Sequence, residues 1–462
     1  MADVRQNLFS GFGEGNQQHR VNGFAYGLDH QLHGANGDSG GLIRSLWSED
    51  IWPLRLRDFS FSPHTGSFAL LEGQTQYGRK RNDWGHWFGN NNPNWLWYFS
   101  RSLRYSALAP DLELGSHIQH LGAQEDLKRV QQIAPSLQRF NDIGMRGFVT
   151  SACSPTPYRD HVLFPGDNQH VFVSEPVHNL VRHFRLEPKP EGFLATRPET
   201  ERDHEFLASR DPWFRPTSTQ TGPDGALYVA DMYRMAIEHT EWIPDDVESF
   251  MDLRLGADRG RIYRVTRSSD IGPPDAKLWQ VPDDWAEWLA SANGWKRDTA
   301  QRKIIEGWQL DKVPALTQLF EEGSNDASRL QALYSLHHLK VLRPAHLIKA
   351  CQDRHAAVRR HAWILLESHP ECFTAENQSL WQDLLRSALV DAEPEVVRQA
   401  LFSVGVIHKS WMAEQVLEAV HAQQHRSLAL DAMAIAALPF FDRVIHHQFQ
   451  CDSCQNGPLL PL

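Results

Sequence analysis

The chain has 462 residues, 41% hydrophobic and 22% charged, a composition that fits two or three globular domains and excludes a disordered or collagen-like chain. Its net charge of −11, with no run of Lys or Arg, argues against binding nucleic acid or anionic lipid through bulk charge. The five cysteines, Cys153, Cys351, Cys372, Cys451 and Cys454, are too few and too scattered for a disulfide framework.

No charged-then-apolar leader follows Met1, so nothing in the sequence as written directs export. Up to about Arg267 the sequence is rich in Gly, Pro, Asn and Trp, with short apolar runs between turn signals, which predicts many short strands. One phrase recurs. Gly222-Pro223-Asp224-Gly225 is a tight turn feeding the apolar run Ala226 to Ala230, which ends in Asp231. Gly27-Leu28-Asp29-His30, followed by Leu32 and Asn36, has Gly, Asp and Leu at the same offsets. Weaker echoes are Ser62 to Phe68 and Gly166-Asp167 leading into Val171 to Glu175. A repeated turn-then-strand unit is the mark of a β-propeller, and at roughly 40–50 residues per blade residues 1–267 hold about five or six. Residues 268–278 read as a linker. From Trp279 to about Phe441 glycine nearly vanishes and helical spacing takes over. Arg302, Arg329, Arg359 and Arg398, spaced by 27, 30 and 39 residues, follow short polar loops, the pattern of a HEAT- or armadillo-like solenoid over 279–441. A plain helical bundle is the alternative. The longest apolar run, Ala432 to Phe441, contains Pro439 and is too short to cross a bilayer, so no transmembrane segment is expected. Residues 442–462 read as an unstructured tail.

Several motifs invite stronger readings. Gly37-Asp38-Ser39-Gly40-Gly41 imitates a serine nucleophile string, but a protease would need its His and Asp in a folded domain upstream, and a hydrolase elbow needs a strand before and a helix after; a propeller turn fits better. Gly11-Phe12-Gly13-Glu14-Gly15 follows no strand and is not a dinucleotide loop. Cys451-Asp452-Ser453-Cys454 lacks the following His of a haem attachment site. With His446 and His447 it has enough ligands for zinc, the alternative being an uncommitted tail. Trp84, Trp87, Trp95 and Trp97 suit inter-blade packing. The polar-aromatic run Arg81 to Asn92 suits either the lining of a central opening or a long ordered loop.

Taken together, Gly11 to Gly23, Asn36 to Gly41, Glu175-Pro176-Val177-His178-Asn179, Trp213-Phe214-Arg215-Pro216 and Gly222 to Arg234 resemble a large bacterial family described as membrane-bound dehydrogenases. Its members join a propeller similar to the quinoprotein glucose/sorbosone dehydrogenases to a HEAT-like region and a cytochrome c domain. The resemblance covers roughly residues 2–440. It implies a sugar or polyol substrate, pyrroloquinoline quinone and Ca²⁺ as cofactors, a cytochrome c-type acceptor, a protein partner on the HEAT-like surface, and an exported or periplasmic location. By the same resemblance His19, ten residues before Asp29, is the candidate base that takes the hydroxyl proton, a role that suits histidine as a residue type. Arg215, and less closely Arg44, are candidates to hold the anionic quinone. Bland alternatives stand beside them: a blade-edge histidine for His19 and an inter-blade ion pair for Arg215. The resemblance begins inside the propeller and no Cys-x-x-Cys-His segment is present, so first blades and a haem domain are expected to be missing from this sequence, as in a gene fragment. Two other functions fit the architecture. One is a non-catalytic scaffold binding glycans or proteins. The other is a lactonase-type propeller with Asn36, Asp38 and Asp231 on a central Ca²⁺.

Overall fold

A computed structural model describes residues 5–135, 147–167, 169–237, 239, 243–270, 272–273, 278, 280–421 and 430–440. The chain divides into two compact units, 1–100 with 118–188 and 192–306, and 101–117 with 189–191 and 307–462. The paired cysteines and histidines near the C-terminus, and the expected tail, lie outside the described residues.

Among the described residues the first unit holds five sheets of antiparallel pairs. The strands are β1 (Phe9–Phe12), β2 (Asn22–Tyr26), β3 (Leu32–Ala35), β4 (Gly41–Ser45), β5 (Ile51–Pro53), β6 (Asp58–Phe61), β7 (Phe68–Leu71), β8 (Lys80–Arg81), β9 (Trp87–Asn91), β10 (Asn94–Phe99), β11 (Ile118–Leu121), β12 (Cys153–Pro157), β13 (His170–Glu175), β14 (Leu180–Lys189), β15 (Gly192–Thr196), β16 (Leu207–Ala208), β17 (Pro216–Thr221), β18 (Leu227–Asp231) and β19 (Arg261–Val265). Four sheets follow one another along the sequence: β2-β3-β6-β7, β8-β9-β10-β11, β12-β13-β14-β15 with β16 on β14, and β17-β18-β19. The fifth, β1-β4-β5, is interleaved with the first of these.

Strand alternation explains how neighbouring sheets share cores. Val171 and Val173 of β13 join Phe88, Trp95 and Tyr98 in one buried cluster, while Phe172, between them, joins Tyr158, Leu227 and Val229 in the next. Both faces of the third sheet are therefore buried, against the second sheet on one side and the fourth on the other. Ile43, Leu54 and Phe59 pack the β1-β4-β5 sheet onto the first. The first strands also lie close together. A Cβ on Gly23 would stand 2.5 Å from the Gly78 Cα, and one on Gly78 would stand 2.9 Å from the Ser154 Cα.

The run Arg81 to Asn92 resolves into the end of β8, a turn and β9. That turn is a copy of the recurring phrase. In 27–31, 82–86 and 222–226 the first N–H donates to the fifth carbonyl, at 2.9, 3.0 and 2.9 Å. The fourth residue is left-handed in each, with φ +55° at His30, +71° at Gly85 and +76° at Gly225.

Helices in chain order are α1 (Leu103–Ser106), α2 (Glu125–Lys128), α3 (Asp245–Glu248), α4 (Trp285–Leu289), α5 (Gly294–Glu306), α6 (Val313–Glu322), α7 (Asp326–His338), α8 (Pro344–Cys351), α9 (Ala356–Leu366), α10 (Gln378–Leu389), α11 (Pro394–Ile407), α12 (Met412–His421) and α13 (Leu430–Ala437). Helical spacing begins where the composition changes, yet α4 and α5 belong to the sheet unit. In the second unit α7, α9, α11 and α13 pack in succession, each later one following a partner helix (α8, α10, α12). Arginines bind the row together. Arg329 of α7 forms a two-pronged pair with Asp353, at 3.0 and 2.6 Å, in the loop before α9. Arg359 of α9 repeats this with Asp391 before α11, at 2.7 Å for both contacts. Forked guanidinium–carboxylate bonds fix both distance and register. Arg302, by contrast, sits on α5 in the sheet unit.

Candidate functional site

The four consecutive sheets have two kinds of end. At the turn end, where first strand passes to second, α5 and the residue before it meet all four. Gly294 N–H donates to Arg159 O at 2.8 Å. The Asn293 side-chain amide donates to Asp160 Oδ2 and to Gly222 O, at 2.5 and 2.8 Å. Asp298 pairs with Arg81 and Arg159, at 2.7 and 2.5 Å, and Arg297 with Asp83 at 2.5 Å. Gln301 reaches Leu28 O at 3.3 Å. The guanidinium groups hold the Asp83 and Asp298 carboxyls below the usual range, against a desolvation that pushes them up.

The candidate residues lie at the opposite end. His19 closes a short 3-10 turn, Gln17–His19, capped by Asn16. Its carbonyl accepts from Ser39 N–H at 3.0 Å, which places Asp38 beside it. Gly37 (φ +74°) has to be glycine here, since a Cβ would stand 2.1 Å from Arg20 O. The serine string is thus the turn between β3 and β4. The exposed Asp38 accepts from Gln74 Nε2 at 2.9 Å. Desolvation raises its carboxyl pKa, and the bond from Gln74 and the charge of His19 oppose that rise.

Arg215 and Asp231 also come together. Asp231 Oδ1 accepts from the N–H of Arg215 and of Tyr233, both at 2.8 Å. The buried Arg215 guanidinium donates to four carbonyls, those of Pro176, Val177, Arg234 and Met235, at 2.7 to 3.3 Å. Gln18 Nε2 donates to Ile237 O, so the His19 segment and the segment closed by Arg215 share one neighbourhood. Arg44 stands apart, exposed on β4 with its neighbour Ile43 turned into the core.

Asn36, Glu175 and Asp231 occupy one structural position, the end of the second strand or just past it, and each is spent on backbone. Asn36 donates to Leu54 O and Arg57 O and accepts from Gly40 N–H. Glu175, fully buried, takes Thr150 N–H, Ser151 N–H and His178 N–H at 3.1, 3.1 and 2.6 Å, and His178 Nδ1 at 2.9 Å. These donors bring its carboxyl down to about 2 in spite of burial. The repeated strand-ending polar residue of the sequence is therefore a stitch. Among the described residues no group of three or more His, Cys, Asp or Glu side chains is arranged to hold a metal ion, although the second oxygen of Asp231 is buried without a hydrogen bond.

A further polar side chain in this unit is Lys80. It stands on β8 where the first strands of three sheets meet, and its ammonium donates to Thr156 Oγ1, Thr219 O and Gln220 Oε1. Desolvation lowers its pKa to about 8. Nothing around a single lysine in Gly78-Arg79-Lys80-Arg81 marks it; only the pairing of distant strands does.

Residues 1–269 match the family described as a domain of unknown function, DUF7133. The chain belongs to that family. No curated protein matches it. The DUF7133 match ends inside the sheet unit, before α4 and α5. Among the described residues no helix is long and apolar enough to cross a membrane.

Proposed function

We propose that the DUF7133 region is a propeller of at least four blades, that the following helices are a HEAT-like solenoid, and that the end opposite α5 oxidises a hydroxyl of a sugar or polyol. The propeller reading is supported by sheets that share cores in sequence, first strands in near contact, and one helix that meets the connection between first and second strands in four sheets. The solenoid reading is supported by the Arg329–Asp353 and Arg359–Asp391 repeats. One observation carries the functional reading, the imidazole of His19 beside the carboxylate of Asp38 at the end where the Arg215 loop gathers. In that role His19 takes the hydroxyl proton, with Asp38 beside it.

The resemblance implies a bound quinone that accepts the hydride and passes electrons to a cytochrome c-type protein. The arginines do not fit that group as placed, because Arg215 has given its donors to carbonyls and Arg44 faces away from the core. The stitches Asn36 and Asp231 with Asp38 are equally poor as a Ca²⁺ set, so no step is assigned to either cofactor. The test is dye-linked oxidation of an aldose and polyol panel with pyrroloquinoline quinone and Ca²⁺ supplied. Turnover should fall at least about 100-fold in His19→Ala while ligand binding persists. Absence of turnover in the unaltered chain would leave the second reading, a scaffold binding glycans or proteins, which the commitment of Arg215 to backbone favours.

A further inference from the structure

Among the described residues, several buried arginines are paired with carboxylates. Arg79 is held by Asp58 and Glu72, and Arg182 by Glu205. Lys80 has no such partner, and the titratable group beside it is the Cys153 thiol. The three acceptors of Lys80 are a hydroxyl, a carbonyl and a carboxamide, and among the described residues no carboxylate pairs with it. A mostly buried ammonium without a counter-ion is driven toward the neutral amine.

The surroundings accommodate that neutral form. The two remaining N–H groups suit Thr219 O and Gln220 Oε1, and the Thr156 hydroxyl can turn to donate to the lone pair. The same hydroxyl lies 3.0 Å from Ser154 O and 3.1 Å from Thr219 O. Turning to either releases the lone pair without leaving the hydroxyl unbonded. The backbone is also unusual here. Ser154 is left-handed, with φ +54°, a conformation that non-glycine residues hold at a cost and that gathers at functional sites.

We propose that Lys80 is a carbonyl-reactive amine, a site that takes a small aldehyde or ketone as an imine. The Nζ lone pair adds to the carbonyl carbon, the amine proton passes to the oxygen, and water leaves as the C=N bond forms, with no change in oxidation state. The proposal does not depend on the His19 reading.

The experiment is reductive trapping on the full chain. Propionaldehyde and cyanoborohydride are supplied from pH 6 to 10, and alkylation is mapped by mass spectrometry, with the exposed Lys349 as internal reference. Lys80 is expected to react at least tenfold faster than Lys349 at pH 8, with a midpoint near 8. Gln220→Glu, at an exposed position, supplies the missing carboxylate. It should raise that midpoint by about one unit or more and slow Lys80 about tenfold at pH 8, leaving Lys349 unchanged. Alkylation of Lys80 no faster than Lys349, or a Gln220→Glu chain that reacts as the parent does, would overturn the proposal.

Discussion

Glu175 shows how one side chain can organise a loop cluster. Its oxygens gather three backbone N–H groups and the His178 ring from two separate stretches of chain. Because its carboxyl pKa drops from an ordinary 4.5 to about 2, the folded state binds fewer protons than the unfolded one between those values. The contribution is complete above about pH 4.5 and is lost as pH falls through about 2. Glu175→Gln should cost roughly 2–4 kcal/mol at neutral pH and remove that part of the acid dependence, as read by urea melts from pH 7 to 3. The carboxylate that closes its strand was legible in the sequence, but its purpose was not. Hydrogen bonding to backbone and metal ligation ask for the same residue type at the same spot, and only the surrounding N–H groups tell them apart.

Among the elements, α5 is held by charge as well as by the burial of Ala300, Ile304 and Ile305. Asp298 joins it to two arginines from different sheets, Arg81 and Arg159. Asp298→Ala would leave Arg81, itself nearly inaccessible, without its carboxylate. A loss of about 3 kcal/mol is expected, with faster hydrogen exchange over 294–306 and unchanged exchange over 313–407. The helical character of this stretch is readable from its composition; its membership of the sheet unit is not, because its partners are single residues in distant turns. The turns themselves follow the same lesson. The 27–31 and 222–226 copies are visible because each keeps Gly, Asp and Leu. The 82–86 copy keeps the backbone with Asn82, Trp84 and Trp87 in place of those residues, so it hides in the sequence. Of the four spaced arginines, Arg329 and Arg359 each meet an aspartate in a later loop, whereas Arg302 lies on α5 in the sheet unit.

At the scale of the molecule, the chain enters the helical unit early. Residues 101–117, between β10 and β11, belong with the helices. Tyr105 there stacks on Phe402 at 4.6 Å and donates to Glu367 Oε1 at 2.8 Å, while Arg104 pairs with the other oxygen of Glu367. Tyr105→Ala should cost about 3–5 kcal/mol, seen as lost exchange protection in α9 and α11.

That early entry also limits how this protein could be cut and recombined. A break anywhere between 269, where the family match ends, and 306, where the sheet unit ends, would keep Tyr105 and discard both Phe402 and Glu367. Swapping the helical half with that of a relative would keep these contacts only where the incoming helices carry partners for Tyr105 and Arg104. The portion that can be inherited or exchanged intact is therefore the sheets and helices together, with the 101–117 segment as the stretch that must match.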